Sequence, residues 1–162
     1  MSAGKYLVYA TIVSTFVLIV WGAYLTAGDW GSACGPASSS AISNDWPYCN
    51  GSLAVPNPFS ASSYGAFVEY FHRTLSVLVG VILVATLVTV SKMKPRPAGA
   101  YRALLLSFVL LLVQIGLGNI EVNSDLNTVV TALHLANATA LFGVMVISGV
   151  LIRSEERPGG YY

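Results

Sequence analysis

His72 and His134 are the only imidazoles in a chain of 162 residues, and both fall inside long apolar runs. The first sits in Glu69-Tyr70-Phe71-His72-Arg73, which puts three ionisable side chains near the start of the run Gly65 to Val90. Such groups inside a bilayer-spanning segment cost about 2.5 kcal/mol each or more on insertion scales, so they usually face protein or a polar cavity and mark function. At 1.5 Å per residue, His72 lies about 10 Å below the outer end of its run. His134, in a run beginning near Thr128, lies at about the same depth. Two neutral imidazoles at equal depth on two helices can supply both axial positions of a haem iron held in a helix bundle. The competing reading makes each a hydrogen-bonded packing residue between helices. Glu69 shares the face of His72, three positions before it, and Arg73 follows Glu69 by four, the spacing of an ion pair along one helix. Thr131 and Asn137 lie three positions either side of His134 and are candidates to orient its second ring nitrogen. Ala136, Ala138 and Ala140 keep part of that helix slim enough to lie against a flat macrocycle.

The elements that position these residues follow from composition. The chain is 55% hydrophobic and 9% charged, against roughly 25% charged in an ordinary soluble domain. Four runs, Tyr6 to Ala27, Gly65 to Val90, Tyr101 to Gly118 and Thr128 to Ile152, meet the requirement of about 20 apolar residues for a spanning helix. The expected fold is all-α and integral to the membrane: one domain, residues 1–162, built as a four-transmembrane-helix bundle. Lys5 precedes the first run, Lys92, Lys94, Arg96 and Arg102 surround the second connection, and Arg153 and Arg157 follow the fourth run. Both termini are therefore expected in the cytoplasm. The long loop from Gly28 to Tyr64 and the shorter one from Asn119 to Asn127 carry Asp29, Asp45, Glu121 and Asp125 but no Lys or Arg, which places them outside. The first run is too long for a signal peptide and lacks a clear cleavage site, so it is expected to remain as a helix. With a net charge of +1 and no basic cluster, the expected surroundings are membrane lipid and no nucleic acid.

The long outer loop holds both cysteines, Cys34 and Cys49. On the oxidising side of a membrane they can form a disulfide, which would stabilise a loop of this length by about 3 kcal/mol in the chain-entropy model. A redox-active pair is the alternative. Zinc is disfavoured, because four ligands are usual and no histidine is near. Trp21, Tyr24 and Trp30 at the end of the first run read as an interfacial aromatic belt. Gln114 in the third run reads as an interhelical hydrogen-bond donor, beside Gly116 and Gly118, whose small size lets helices approach.

Four motifs in order carry a family resemblance: Gly22-Ala23-Tyr24 closing the first helix, Asp45-Trp46-Pro47-Tyr48-Cys49-Asn50-Gly51 in the outer loop, Glu69-Tyr70-Phe71-His72-Arg73 in the second helix, and Leu133-His134-Leu135-Ala136-Asn137-Ala138 in the fourth. Together they resemble the haem A synthase family across all four spans. Larger members have eight spans in two four-helix halves, and this chain is similar to one half, as compact members are. The resemblance implies oxidation of a methyl group of haem O to the formyl group of haem A, in the plasma membrane. It implies His72 and His134 as axial ligands of haem iron, Glu69 as the acidic residue near the reacting edge, and Cys34 with Cys49 as the outer-loop pair. Arg73 would meet Glu69 or a haem propionate through charge-assisted bonds. Haem O is the implied substrate, haem B, haem O or haem A the bound group, haem O synthase or a terminal oxidase the partner, and a homo-oligomer the assembly. The chain departs from the family in having Thr26 where arginine is usual, a wider spacing between its cysteines, and one histidine pair where full-length members have two. From another class, the same histidines fit a non-catalytic b-type cytochrome or an accessory subunit of a respiratory oxidase complex. A purely structural four-helix subunit is the third possibility.

Overall fold

The structure, a computed structural model, describes residues 3–35, 48–124 and 126–155. Asp45, Trp46, Pro47, Asp125 and Arg157 lie outside the described residues. Four helices account for most of the rest: α1 (Ala3–Ala27), α2 (Tyr64–Ser91), α3 (Ala98–Asn123) and α4 (Thr128–Glu155). Each is long and apolar enough to cross a membrane.

The helices close into a ring. Helix α1 packs on α2, α2 on α3, α3 on α4, and α4 back on α1. Among the described residues, the diagonal pairs α1–α3 and α2–α4 have no Cα atoms within 8 Å of each other. The two histidine-bearing helices are thus across the bundle axis from one another.

Packing is uneven along that axis. At the end carrying the two chain termini, Val8, Leu83, Val90, Ala100, Leu104, Leu111, Leu141, Met145 and Ile152 form one buried apolar cluster drawn from all four helices. Small polar residues fit into the same half: the hydroxyls of Thr11 and Thr86 meet at 2.8 Å between α1 and α2, and Ser107 and Ser148 are fully buried while bonding carbonyls of their own helices. At the opposite end, where the α1–α2 loop sits, no described residue of α3 after Leu111 or of α4 before Leu141 is buried. Buried residues of α3 and α4 are therefore confined to one half of the bundle, while at the loop end the buried residues include Cys34, Cys49, Ala66, Val68 and Glu69. Large apolar residues such as Val13, Phe16, Leu78, Val81, Leu112, Ile115, Ile147 and Val150 are exposed around the outside, the distribution expected of helices solvated by hydrocarbon.

Helix α3 corrects one expectation. The run was expected to stop at Gly118, with Asn119 to Asn127 as loop, yet the helix continues to Asn123. A glycine costs a helix only about 1 kcal/mol relative to alanine, and Ile120 and Val122 carry the apolar pattern on. The helix stops where Ser124 N–H bonds Ile120 O at 2.9 Å, Leu126 N–H bonds Glu121 O at 3.0 Å, and Leu126 turns to φ 57°.

Candidate functional site

The loop end of the bundle holds both histidines. His72 lies two turns into α2, and its ring rests on Gly22 of α1: a Cβ added there would stand 3.0 Å from Cε1 and 3.6 Å from Nδ1. His134 rests on Gly118 of α3 in the same way, with the corresponding distances 3.1 and 3.6 Å. Each imidazole is thus set against a glycine of the helix that precedes its own, and the arrangement in α1–α2 is repeated in α3–α4. In both, Nδ1 is buried and has no hydrogen-bond partner. A buried polar atom left unpaired costs about 1–3 kcal/mol, and neither imidazole makes at Nδ1 the interhelical hydrogen bond that a packing role would give it. The donors fit a haem: two nitrogen ligands on diagonal helices, with glycine at each ring and no buried side chain from α3 or α4 between them and the loop.

Beside His72 is a second constellation. Glu69 is 2% exposed. Its Oε1 accepts from Arg73 of the next turn, and its Oε2 accepts the main-chain N–H of Cys34 at 2.7 Å. The loop thereby bonds directly to the carboxylate. Cys34 and Cys49 form a disulfide across 15 residues, with Cα atoms 4.6 Å apart. The turn beyond it is fixed by Cys49 N–H to Ser52 O at 2.9 Å and Asn50 N–H to Cys34 O at 3.1 Å. Asn50 and Gly51 adopt positive φ there, 52° and 75°. Below the loop, Trp30 packs edge-on to Tyr24 and Tyr64, in space that a side chain at Gly65 would occupy.

Comparison with known proteins identifies the family. Residues 5–159 match the family model COX15-CtaA, described as cytochrome oxidase assembly protein. The chain belongs to this family. A relative from Symbiobacterium thermophilum, named Heme A synthase, is 29% identical over 157 residues, covering 97% of this chain and 47% of the relative. A Heme A synthase of Exiguobacterium sibiricum is 31% identical over 144 residues, covering 88% of this chain and 43% of the relative. A Protoheme IX farnesyltransferase of Haloarcula marismortui is 30% identical over 142 residues, which are 88% of this chain and 27% of that protein. This member of the COX15-CtaA family thus spans about half the length of the curated heme A synthases it matches. No solved structure matches it.

Other residues of this family member differ from their sequence expectations. Asn137 is committed elsewhere: its Nδ2 donates to Gln114 Oε1 at 2.6 Å and to Leu110 O at 3.0 Å, tying α4 to α3. Gln114 is an interhelical partner, as expected, but accepts in this bond. Neither Asn137 nor Thr131 satisfies Nδ1 of His134. Trp21 is not simply a belt residue, since its indole N–H donates to Val68 O at 3.0 Å and its ring meets Phe71 edge-on at 4.8 Å. Thr26 bonds back to Gly22 O at 3.0 Å.

The residue that sequence reasoning passed over is Glu121. Treated as a loop charge, it lies instead in the last turns of α3, with Oε2 3.8 Å from His134 Nδ1. Its spacing of three from Gly118 puts it on the same helix face, a relation visible only once the helix is known to continue. Two recesses lie away from the histidines, one of about 480 Å³ over the disulfide loop and one of about 600 Å³ between α1 and α4 near Arg153.

Proposed function

We propose that this chain is a haem A synthase that oxidises a methyl group of haem O to the formyl group of haem A, holding haem between His72 and His134. The observation that carries the reading is the pair of glycine-backed imidazoles on diagonal helices. Membership of the COX15-CtaA family and the names of the relatives support the same chemistry.

A bound haem supplies one-electron chemistry at its iron. The chain's residues supply position and protons. His72 and His134 fix the macrocycle, and Gly22 and Gly118 let the two rings sit close to the neighbouring helices. Glu69, one turn before His72, takes the proton released as the methyl carbon loses hydrogen, and Arg73 balances its charge or meets a propionate. The disulfide turn covers this end and, through the Cys34 N–H, keeps Glu69 fixed. Converting the methyl to a formyl group takes its oxygen from water and releases four electrons and four protons in all, the electrons passing to an external one-electron acceptor, and the product stays in the membrane.

The chain acts as one four-helix domain, residues 1–162, in the plasma membrane, with both termini cytoplasmic; the Lys and Arg of Lys5, the Lys92–Arg102 segment and Arg153 support that orientation. The histidine site then lies in the outer half of the bilayer. The assembly proposed for it is a homo-oligomer. The likeness to proteins named Protoheme IX farnesyltransferase, of which the matched part is about a quarter, supports a partner that farnesylates haem and so hands over haem O; a terminal oxidase receives the product.

Supplying haem O to the purified chain in lipid, with extraction and mass identification of the haem, tests the reading. Haem A is expected from the wild type and not from His72→Ala or His134→Ala. A second reading is a non-catalytic b-type cytochrome or accessory oxidase subunit, which keeps the histidines without the methyl chemistry. It predicts reversible haem B redox behaviour with no haem A formed.

A further inference from the structure

The two histidines have different surroundings, and the difference lies in their carboxylates. Glu69, the acid nearest His72 in sequence, has its oxygens engaged by Arg73 and by the Cys34 N–H, and His72 Nδ1 has no partner. Glu121 approaches His134 from another helix, with Oε2 3.8 Å from Nδ1, and its side chain is only 15% exposed. That separation suits an ion pair and exceeds a hydrogen bond by about 1 Å. The extension of α3 beyond Gly118 brings Glu121 to this place. A carboxylate within a spanning helix is costly without a partner, and a buried Nδ1 lacks an acceptor.

We propose that Glu121 is a positioning residue for His134. Its carboxylate accepts the Nδ1–H, selects the tautomer that leaves Nε2 as the iron-binding nitrogen, and makes His134 the more electron-donating of the two ligands. A ligating histidine characteristically donates its other N–H to such a partner, which fixes the ring and raises its basicity. Greater donation favours ferric over ferrous iron, so the carboxylate lowers the reduction potential of bound haem. This inference rests on haem ligation by His134, and it adds an asymmetry that ligation alone does not require.

The test is a spectroelectrochemical titration of the full chain loaded with haem B, in the wild type, Glu121→Gln, Glu121→Leu, Glu121→Asp and His134→Ala. The midpoint potential is expected to rise in Glu121→Gln and Glu121→Leu and to return part of the way in Glu121→Asp. Haem affinity is expected to fall about 10- to 100-fold in the Gln and Leu variants. An unchanged potential in both, with the low-spin haem spectrum intact, overturns the proposal. If both lose haem altogether, Glu121→Asp decides: recovered low-spin haem supports the carboxylate's role, and failure to recover it overturns it. A wild-type spectrum in His134→Ala would instead refute ligation by His134, a failure distinct from silence at Glu121.

Discussion

At the scale of single residues, each imidazole rests where one methyl group would intrude. An alanine at Gly22 or Gly118 would bring Cβ within 3.0 or 3.1 Å of a histidine Cε1, closer than the neighbour tolerates without moving. Overpacking of this kind costs about 1–3 kcal/mol. Gly22→Ala and Gly118→Ala are therefore each expected to weaken haem binding by a factor of about 5 to 150, read from haem absorbance titrated per protein. Glu69 and Arg73 make a second residue-scale test. Their side chains are 3% and 18% exposed, and truncating one member of a buried ion pair costs about 3–5 kcal/mol. Glu69→Ala is expected to lower the unfolding stability in detergent by that order, and more than Arg73→Met, because it also strands the Cys34 N–H.

At the scale of elements, the α1–α2 loop and α2 are held together by a few specific bonds. Closing 15 residues between Cys34 and Cys49 stabilises the loop by about 3 kcal/mol in the chain-entropy model. Cys34→Ser with Cys49→Ser is expected to lose that amount in equilibrium unfolding and to raise hydrogen exchange at the Cys34 amide, whose acceptor is Glu69. The bond from Trp21 to Val68 O is a smaller fastener, and its loss in Trp21→Phe is expected to cost less than about 2 kcal/mol, the range of interhelical bonds in membranes. The helices themselves were legible because apolar length is a direct physical requirement of the bilayer. Local pairing was less so. Nothing in the order of residues distinguishes a Trp21 that faces lipid headgroups from one that turns inward to a carbonyl, since both suit an aromatic at a helix end. The end of α3 was misplaced because Gly116 and Gly118 weaken a helix without stopping it. That error hid Glu121, whose meaning depends on the helical turn it occupies. Asn137 was credited with His134 from spacing along α4, whereas its bond runs across to Gln114 on α3.

At the scale of the whole molecule, the bundle is filled at one end by an apolar cluster drawn from all four helices and carries both histidines at the other. A ligand binding the folded state there adds stability by mass action, about 2.7 kcal/mol at a hundredfold excess over its dissociation constant. Haem is therefore expected to raise the thermal midpoint of the wild type and to leave that of His72→Ala/His134→Ala unmoved. The histidine pair was legible as a pair because both residues fall at equal depth in separate apolar runs, but the ring order of the helices and the glycine beneath each imidazole required the fold. The claim on which the account depends is that His72 and His134 bind one iron. Electron paramagnetic resonance of the ferric, haem-loaded chain tests it most directly. A six-coordinate low-spin signal is expected in the wild type, giving way to a high-spin signal in His72→Ala and, separately, in His134→Ala. A low-spin signal that survives either substitution unchanged would contradict it.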